Sequence, residues 1–127
     1  MSTGYTYDTG MLVAAERHHR SAWVLHRQAM AAGLPITVPS AVLAQAWRGG
    51  PQPLLSRLLK GTTIEPLAET GARSAGAICA LAETADVIDA SVVVGALIRD
   101  DIIVTGDVDD LTRLVEAIGQ PVVVRRI

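Results

Sequence analysis

The chain has 127 residues, a formal net charge of −2, half of its residues hydrophobic and 19% charged. That composition excludes intrinsic disorder, and the length suits one domain spanning 1–127. A single cysteine, Cys79, excludes a disulfide framework and any Cys-based zinc cluster. No run of about 18 uncharged apolar residues is present, and the opening MSTGYTYDTG lacks a basic, then apolar, leader. The expectation is a soluble cytoplasmic protein with no membrane partner.

Short β-like runs alternate with longer helical patterns along the chain. Gly4 to Tyr7 is β-prone, and Asp8-Thr9-Gly10 ends it. The spacing of Leu12, Ala15, His19, Ala22 and Trp23 predicts one helix over 11–32, stopped by Gly33 and Pro35. Ile36-Thr37-Val38 is a second strand. Ser40 then suits the N-cap of a helix from Ala41 to Trp47. After Gly49-Gly50-Pro51, residues 53–60 form a short amphipathic helix, and Thr62 to Leu67 a third strand. An Ala-rich helix covers 68–83, with Cys79 buried in it. Asp86 to Arg99 is another helix. Its Val92-Val93-Val94 run is β-prone, but a 14-residue segment is too long for a typical strand and reads as a buried helix. Asp101 to Thr105 is the fourth strand, 109–118 a helix closed by Gly119, and Val122-Val123-Val124 the last strand.

Continuous apolar strands alternating with helices predict an α/β fold of three layers. Its central sheet is mostly parallel, with about five strands and helices on both faces. Ligands of such folds bind beyond the carboxyl ends of the strands. Asp8 directly follows strand one, and Asp107 lies two residues past strand four. If those strands are central neighbours, the two carboxylates share a crevice. Asp86 and Asp89, three apart at a helix start, lie on one face and join them if that helix begins at the same edge. Such a cluster raises its own pKa values, and a hard divalent cation is the usual remedy. Each acid also has a plainer use: Asp86 as an N-cap, Asp107 in a turn, Asp109 and Asp110 as solvated first-turn acids. Asp100 and Asp101 read as a surface loop pair.

Charge is unevenly distributed. Residues 1–64 hold six basic residues and two acids, a balance of +4; residues 65–127 hold five basic residues and eleven acids, a balance of −6. A polyanion footprint beside an acidic cluster is one reading, chance on a mixed surface the other. Arg17, Arg20 and Arg48 are the first candidates for phosphate contact. Arg20 alternatively pairs with Glu16, four residues earlier. Adjacent His18 and His19 face different sides of a helix and are no metal pair. Trp23 and Trp47 suit core or interface, Arg57 and Lys60 a solvated face, and Arg125-Arg126-Ile127 a frayed end or an interface.

Four blocks, YDTGML, VPSAVLAQAWRGG, ADVIDASVV and VTGDVDDLTRL, together resemble the PIN domain, and more closely the ribonuclease toxins of VapBC toxin–antitoxin systems. The resemblance covers essentially the whole chain. It implies a PIN-like fold and a Mg²⁺- or Mn²⁺-dependent endoribonuclease, with Asp8, Asp89 and Asp107 as metal-holding catalytic acids. It also implies RNA as substrate, a VapB-like antitoxin as partner, and a homodimer. At the family's second acidic position this chain has Gln45, which removes one negative charge; Asp86 or Asp110 is the candidate to compensate. The runner-up keeps the fold and loses catalysis: a weak or inactive PIN domain that binds RNA or antitoxin. Other Asp-bearing folds fit less well. Asp8-Thr9-Gly10 matches aspartic proteases, which are β-rich. Receiver domains need a late lysine, and the only lysine is Lys60. Haloacid-dehalogenase-like phosphatases need a second Asp where Gly10 stands.

Overall fold

A computed structural model describes residues 3–127. Five strands, β1 (Tyr5–Tyr7), β2 (Ile36–Pro39), β3 (Thr63–Glu65), β4 (Ile102–Thr105) and β5 (Val124–Arg126), form one sheet in the order β3-β2-β1-β4-β5. Every pairing is parallel. The chain steps outward from β1 to β2 and β3, then returns to β4 on the other side of β1. The switch point therefore lies between β1 and β4, where Tyr5, Thr6 and Tyr7 face Ile102, Ile103 and Val104. The expected three-layer α/β architecture is the one observed.

Among the described residues, seven helices surround the sheet: α1 (Thr9–Glu16), α2 (Arg20–Ala31), α3 (Ser40–Ala46), α4 (Pro53–Leu59), α5 (Glu69–Ala82), α6 (Val87–Arg99) and α7 (Val108–Ile118). Alternation along β1 separates the two faces. Tyr7 reaches the α1–α2 side, where its hydroxyl meets His26 Nδ1 at 2.9 Å. Thr6 reaches the α6 side, where it meets Arg99 at 2.8 Å. The cores combine Tyr7, Met11, Leu12, Leu55 and Leu58 with Val92, Val93 and Ile103, all fully buried. The valine run of α6 is helical, as its length requires, and Cys79 is buried as expected.

Several boundaries differ from the sequence reading. The helix expected over 11–32 is two helices, broken at 17–19, where His18 takes φ 58°. No glycine or proline marks the break. Tertiary packing imposes it: α2 turns back so that Trp23 donates to the Ala15 carbonyl at 3.0 Å and His26 reaches Tyr7. Arg20 is thus on a different helix from Glu16, which instead accepts from Gln52 at 2.8 Å. Ser40 is the first residue of α3, with Pro39 at the N-cap and no side-chain cap. The last strand slides from 122–124 to Val124–Arg126, because it is an edge strand whose arginines reach water. Trp23 is in the core, with Arg57 stacked on its ring, whereas Trp47 is exposed.

Asp101 is not a surface residue. It is 8% exposed, accepts from Thr6 at 2.7 Å and from Arg99 Nε at 2.9 Å, and Arg99 continues to Glu65. This network ties β1, β3, β4 and the end of α6 together. Removing one partner of a buried pair leaves the other charge unmatched. Asp101→Ala is therefore expected to lower the unfolding free energy by about 3 kcal/mol in urea melts, the loss being limited because Arg99 keeps Glu65.

Candidate active site

The crevice forms at the carboxyl edge of the β1–β4 switch point. Asp8 leaves β1 and caps α1: its Oδ1 accepts from the Met11 amide at 3.2 Å, and its Oδ2 accepts from the Thr105 hydroxyl at 2.5 Å. Thr105 closes β4. Its hydroxyl oxygen also accepts from the Asp107 amide at 2.9 Å, so one side chain fixes both strand ends. Asp107 stands at the N-cap position of α7, but its carboxylate makes no cap bond and is exposed. The turn reading for Asp107 thus holds for its backbone and leaves its carboxylate uncommitted.

Two glycines allow this closeness. A methyl group at Gly10 would lie 2.9 Å from the Gly106 nitrogen and 3.3 Å from Asp8 Oδ1. The start of α1 and the turn after β4 are in backbone contact there, which only a residue without a side chain permits.

The third acid comes from α6. Asp86 caps this helix, its Oδ1 accepting from the Asp89 amide at 3.0 Å. Asp89 is half-buried beside it. Asp86, Asp89 and Asp110 line a cleft of about 100 Å³ with Thr84, Arg113 and Leu114. Asp110 is an exposed first-turn acid of α7, as expected, and it also lines this cleft beside Asp86, the other candidate to compensate for Gln45. Arg113, which the sequence reading did not single out, donates to the Ala82 carbonyl at 3.2 Å on the rim of this cleft. Gln45, exposed on α3, accepts from the Thr9 hydroxyl at 2.5 Å, next to Asp8.

Electrostatics show that these groups share one field. The Asp8 carboxyl is pushed up to about 6, mainly by burial and further by Asp107, against hydrogen bonds from Thr105 and the Met11 and Gly10 amides that oppose the rise. Asp89 is pushed up to about 7, first by burial, then by Asp86, Asp8 and Asp110. The donor set is all oxygen and carries unneutralised negative charge, the chemistry that suits a hard divalent cation. Among the described residues, no group of three or more His, Cys, Asp or Glu side chains is placed to hold a metal ion.

The three arginine candidates part company. Arg17 and Arg20 flank the break between α1 and α2. Arg48 lies past α3, donating to the Trp47 carbonyl at 2.7 Å. His18 and His19 lie in the break rather than on a helix, and His26 is buried against Tyr7, with burial lowering its pKa.

This sheet order, with helices on both faces, is that of the PIN-like α/β fold. The chain superposes with a TM-score of 0.74 on a chain of VapBC2 from Rickettsia felis, solved bound to a DNA fragment from the promoter. The two are 16% identical, and the match covers 97% of this chain and 98% of that one. PAE2754 from Pyrobaculum aerophilum gives a TM-score of 0.60 at 17% identity, over 94% of this chain and all of that one. No protein-family model and no curated protein matches the sequence.

The raised Asp89 pKa carries a stability consequence. An unfolded aspartate titrates near 3.9, so the fold favours the protonated form, and that contribution is lost as pH rises through about 7. Asp89→Asn removes the repulsion permanently. In EDTA it is expected to raise the melting temperature by several degrees near pH 8 and to change it little below about pH 4, by calorimetry.

Proposed function

We propose that the chain is a Mg²⁺- or Mn²⁺-dependent endoribonuclease, the toxin of a toxin–antitoxin pair. What supports this reading is that Asp8 and Asp107 follow neighbouring strands, that Asp107 helps raise the Asp8 pKa, and that Asp8 and Asp86 help raise that of Asp89. A bound divalent ion supplies Lewis acidity there, lowering the pKa of a water and offsetting charge on phosphoryl oxygens. Asp8, Asp89 and Asp107 are the residues to hold it, with Asp86 beside them. Asp8 is the fixed member, because Thr105 and the Met11 amide restrain both its oxygens. Asp107 is the adjustable one, being exposed and free of a cap bond, whereas Asp86 is exposed but caps α6. Gln45 contributes a polar group next to Asp8 without charge, and Arg17, Arg20 and Arg48 are the proposed RNA contacts.

The toxin assignment draws on the sequence resemblance and on the VapBC2 neighbour, which was solved with its promoter DNA. A VapB-like antitoxin and a second copy of this chain are the proposed protein partners, in the cytoplasm. Exposed Trp47 lines an open apolar groove of about 550 Å³ with Leu43 and Leu59, the surface chemistry that a partner helix takes. Among the described residues no helix is long and apolar enough to cross a membrane.

A second reading, an RNA- or antitoxin-binding domain with little turnover, is favoured by Gln45, which is neutral and already engaged by Thr9. Cleavage of a mixed pool of structured RNAs distinguishes the two. Purified protein is expected to cut in Mg²⁺ or Mn²⁺ and to stop in EDTA, and Asp89→Asn is expected to lose at least two orders of magnitude in rate. No cutting in either metal by folded protein that binds the RNA favours the binding-only reading, and no cutting without binding points to a substrate missing from the pool. Gln45→Glu restores a carboxylate that the Thr9 hydroxyl can still reach. It is expected to tighten Mn²⁺ binding several-fold in calorimetric titration.

A further inference from the structure

Folding brings two halves of opposite net charge together, yet it places the acidic half's last two arginines among those of the basic half. Arg125 and Arg126 lie on β5, where Arg126 is in register with Thr105, the residue that holds Asp8. Two grooves meet at Arg126 and Ile127. One, of about 350 Å³, runs from Gly10 and Gly106, at the edge of the acidic crevice, past Arg17 and His19. The other, of about 310 Å³, continues past Arg20, Gln28 and Arg125. No acidic side chain lines either groove. All four arginines are exposed, and among the described residues none of them forms an ion pair. Arg125 is steadied by the Tyr5 hydroxyl at 2.7 Å and lies over the Tyr5 ring.

Four unpaired cations in file, starting at the rim of a carboxylate site, form a track of one sign on a protein whose net charge is −2. Small residues at the start of the track, Gly10, Ala14 and Gly106, leave room for a backbone to pass close to the protein. We infer that this face seats the single-stranded RNA on one side of the scissile phosphodiester. Arg17 and Arg126 hold the phosphates next to the crevice, and Arg20 and Arg125 hold those farther out. Arg48 lies off this track. The inference rests on the nuclease reading for its direction, since the crevice is where the scissile phosphate sits. The binding it describes is measurable without turnover.

The test is fluorescence anisotropy with a labelled single-stranded RNA of about 12 nucleotides in EDTA, across a salt series. Arg17→Ala/Arg126→Ala is compared with wild type, with Arg17→Lys/Arg126→Lys, and with Arg73→Ala on α5 as an off-track control. The alanine pair is expected to weaken binding at least tenfold at low salt and to flatten the slope of log K against log salt by roughly 1.4, the loss of two phosphate contacts. The lysine pair is expected to recover most of the binding, and Arg73→Ala to match wild type. Unchanged melting temperatures establish that the variants fold.

Equal affinity and slope in the alanine pair overturn the inference, as does a wild type that binds no RNA at low salt. An alanine pair that loses only an acidic-peptide probe also overturns it, and assigns the face to a protein partner. In cleavage assays the pair is expected to raise KM with kcat retained. Track-dependent binding without any cutting keeps the track as an RNA-binding face, and defeats both the nuclease reading and the placement of a scissile phosphodiester beside it. Cutting with an unchanged KM does the reverse.

Discussion

The hydroxyl of Thr105 joins two strand ends that are 97 residues apart in sequence through a single hydrogen bond to Asp8. That contact exists because β1 and β4 are parallel neighbours at the point where strand order reverses. Remove the adjacency and Asp8 and Asp107 have no reason to meet. Because of it, a buried carboxylate is satisfied on both oxygens while a second one is left free a few residues beyond. The Gly10–Gly106 backbone contact reinforces the same junction from the helix side. The crevice is thus a property of the sheet's topology, made accurate by one threonine and two glycines.

The junction brings together charges that repel. Asp8 and Asp89 both titrate well above an ordinary carboxylate, for reasons of burial and of one another. At the amino-terminal edge of the sheet Asp101 is as buried as Asp8, but Arg99, Thr6 and Glu65 form a closed network around it. The contrast separates two kinds of buried acid in one small protein. Asp101 is matched internally and holds elements together. The switch-point acids are left unmatched, which suits a site that a cation completes.

Basic charge is arranged by the same junction. β5 pairs with β4 in register, so the arginines of its edge stand one strand away from Thr105 and face the break between α1 and α2. His18, in the left-handed conformation, makes that break. It sends Arg20 away from Glu16 and leaves Arg17 and Arg20 open to solvent. Acidic and basic features that lie far apart in sequence become consecutive along one surface.

The alternation of strands and helices, the helical nature of the valine run in α6 and the positions of Asp8, Asp86, Asp89 and Asp107 at element ends were all legible in the sequence. Each depends on local pattern: period, length, and the acid or glycine that ends a segment. What the sequence left open depends on which distant segments become neighbours. Asp101 reads as a loop acid until Thr6 and Arg99 are beside it. The split of 11–32 carries no glycine or proline, because Trp23 and His26 impose it by packing on Ala15 and Tyr7. Thr105 and Arg113 carry no local signal, since their importance comes from what stands opposite them. Arg125 and Arg126 belong to the acidic half by sequence and to the basic face by folding. Layers and strand-end acids can be read along the chain, because periodicity and end residues are local. Tertiary structure alone decided which charges meet and which stay unmatched, because parallel pairing joins residues about a hundred positions apart.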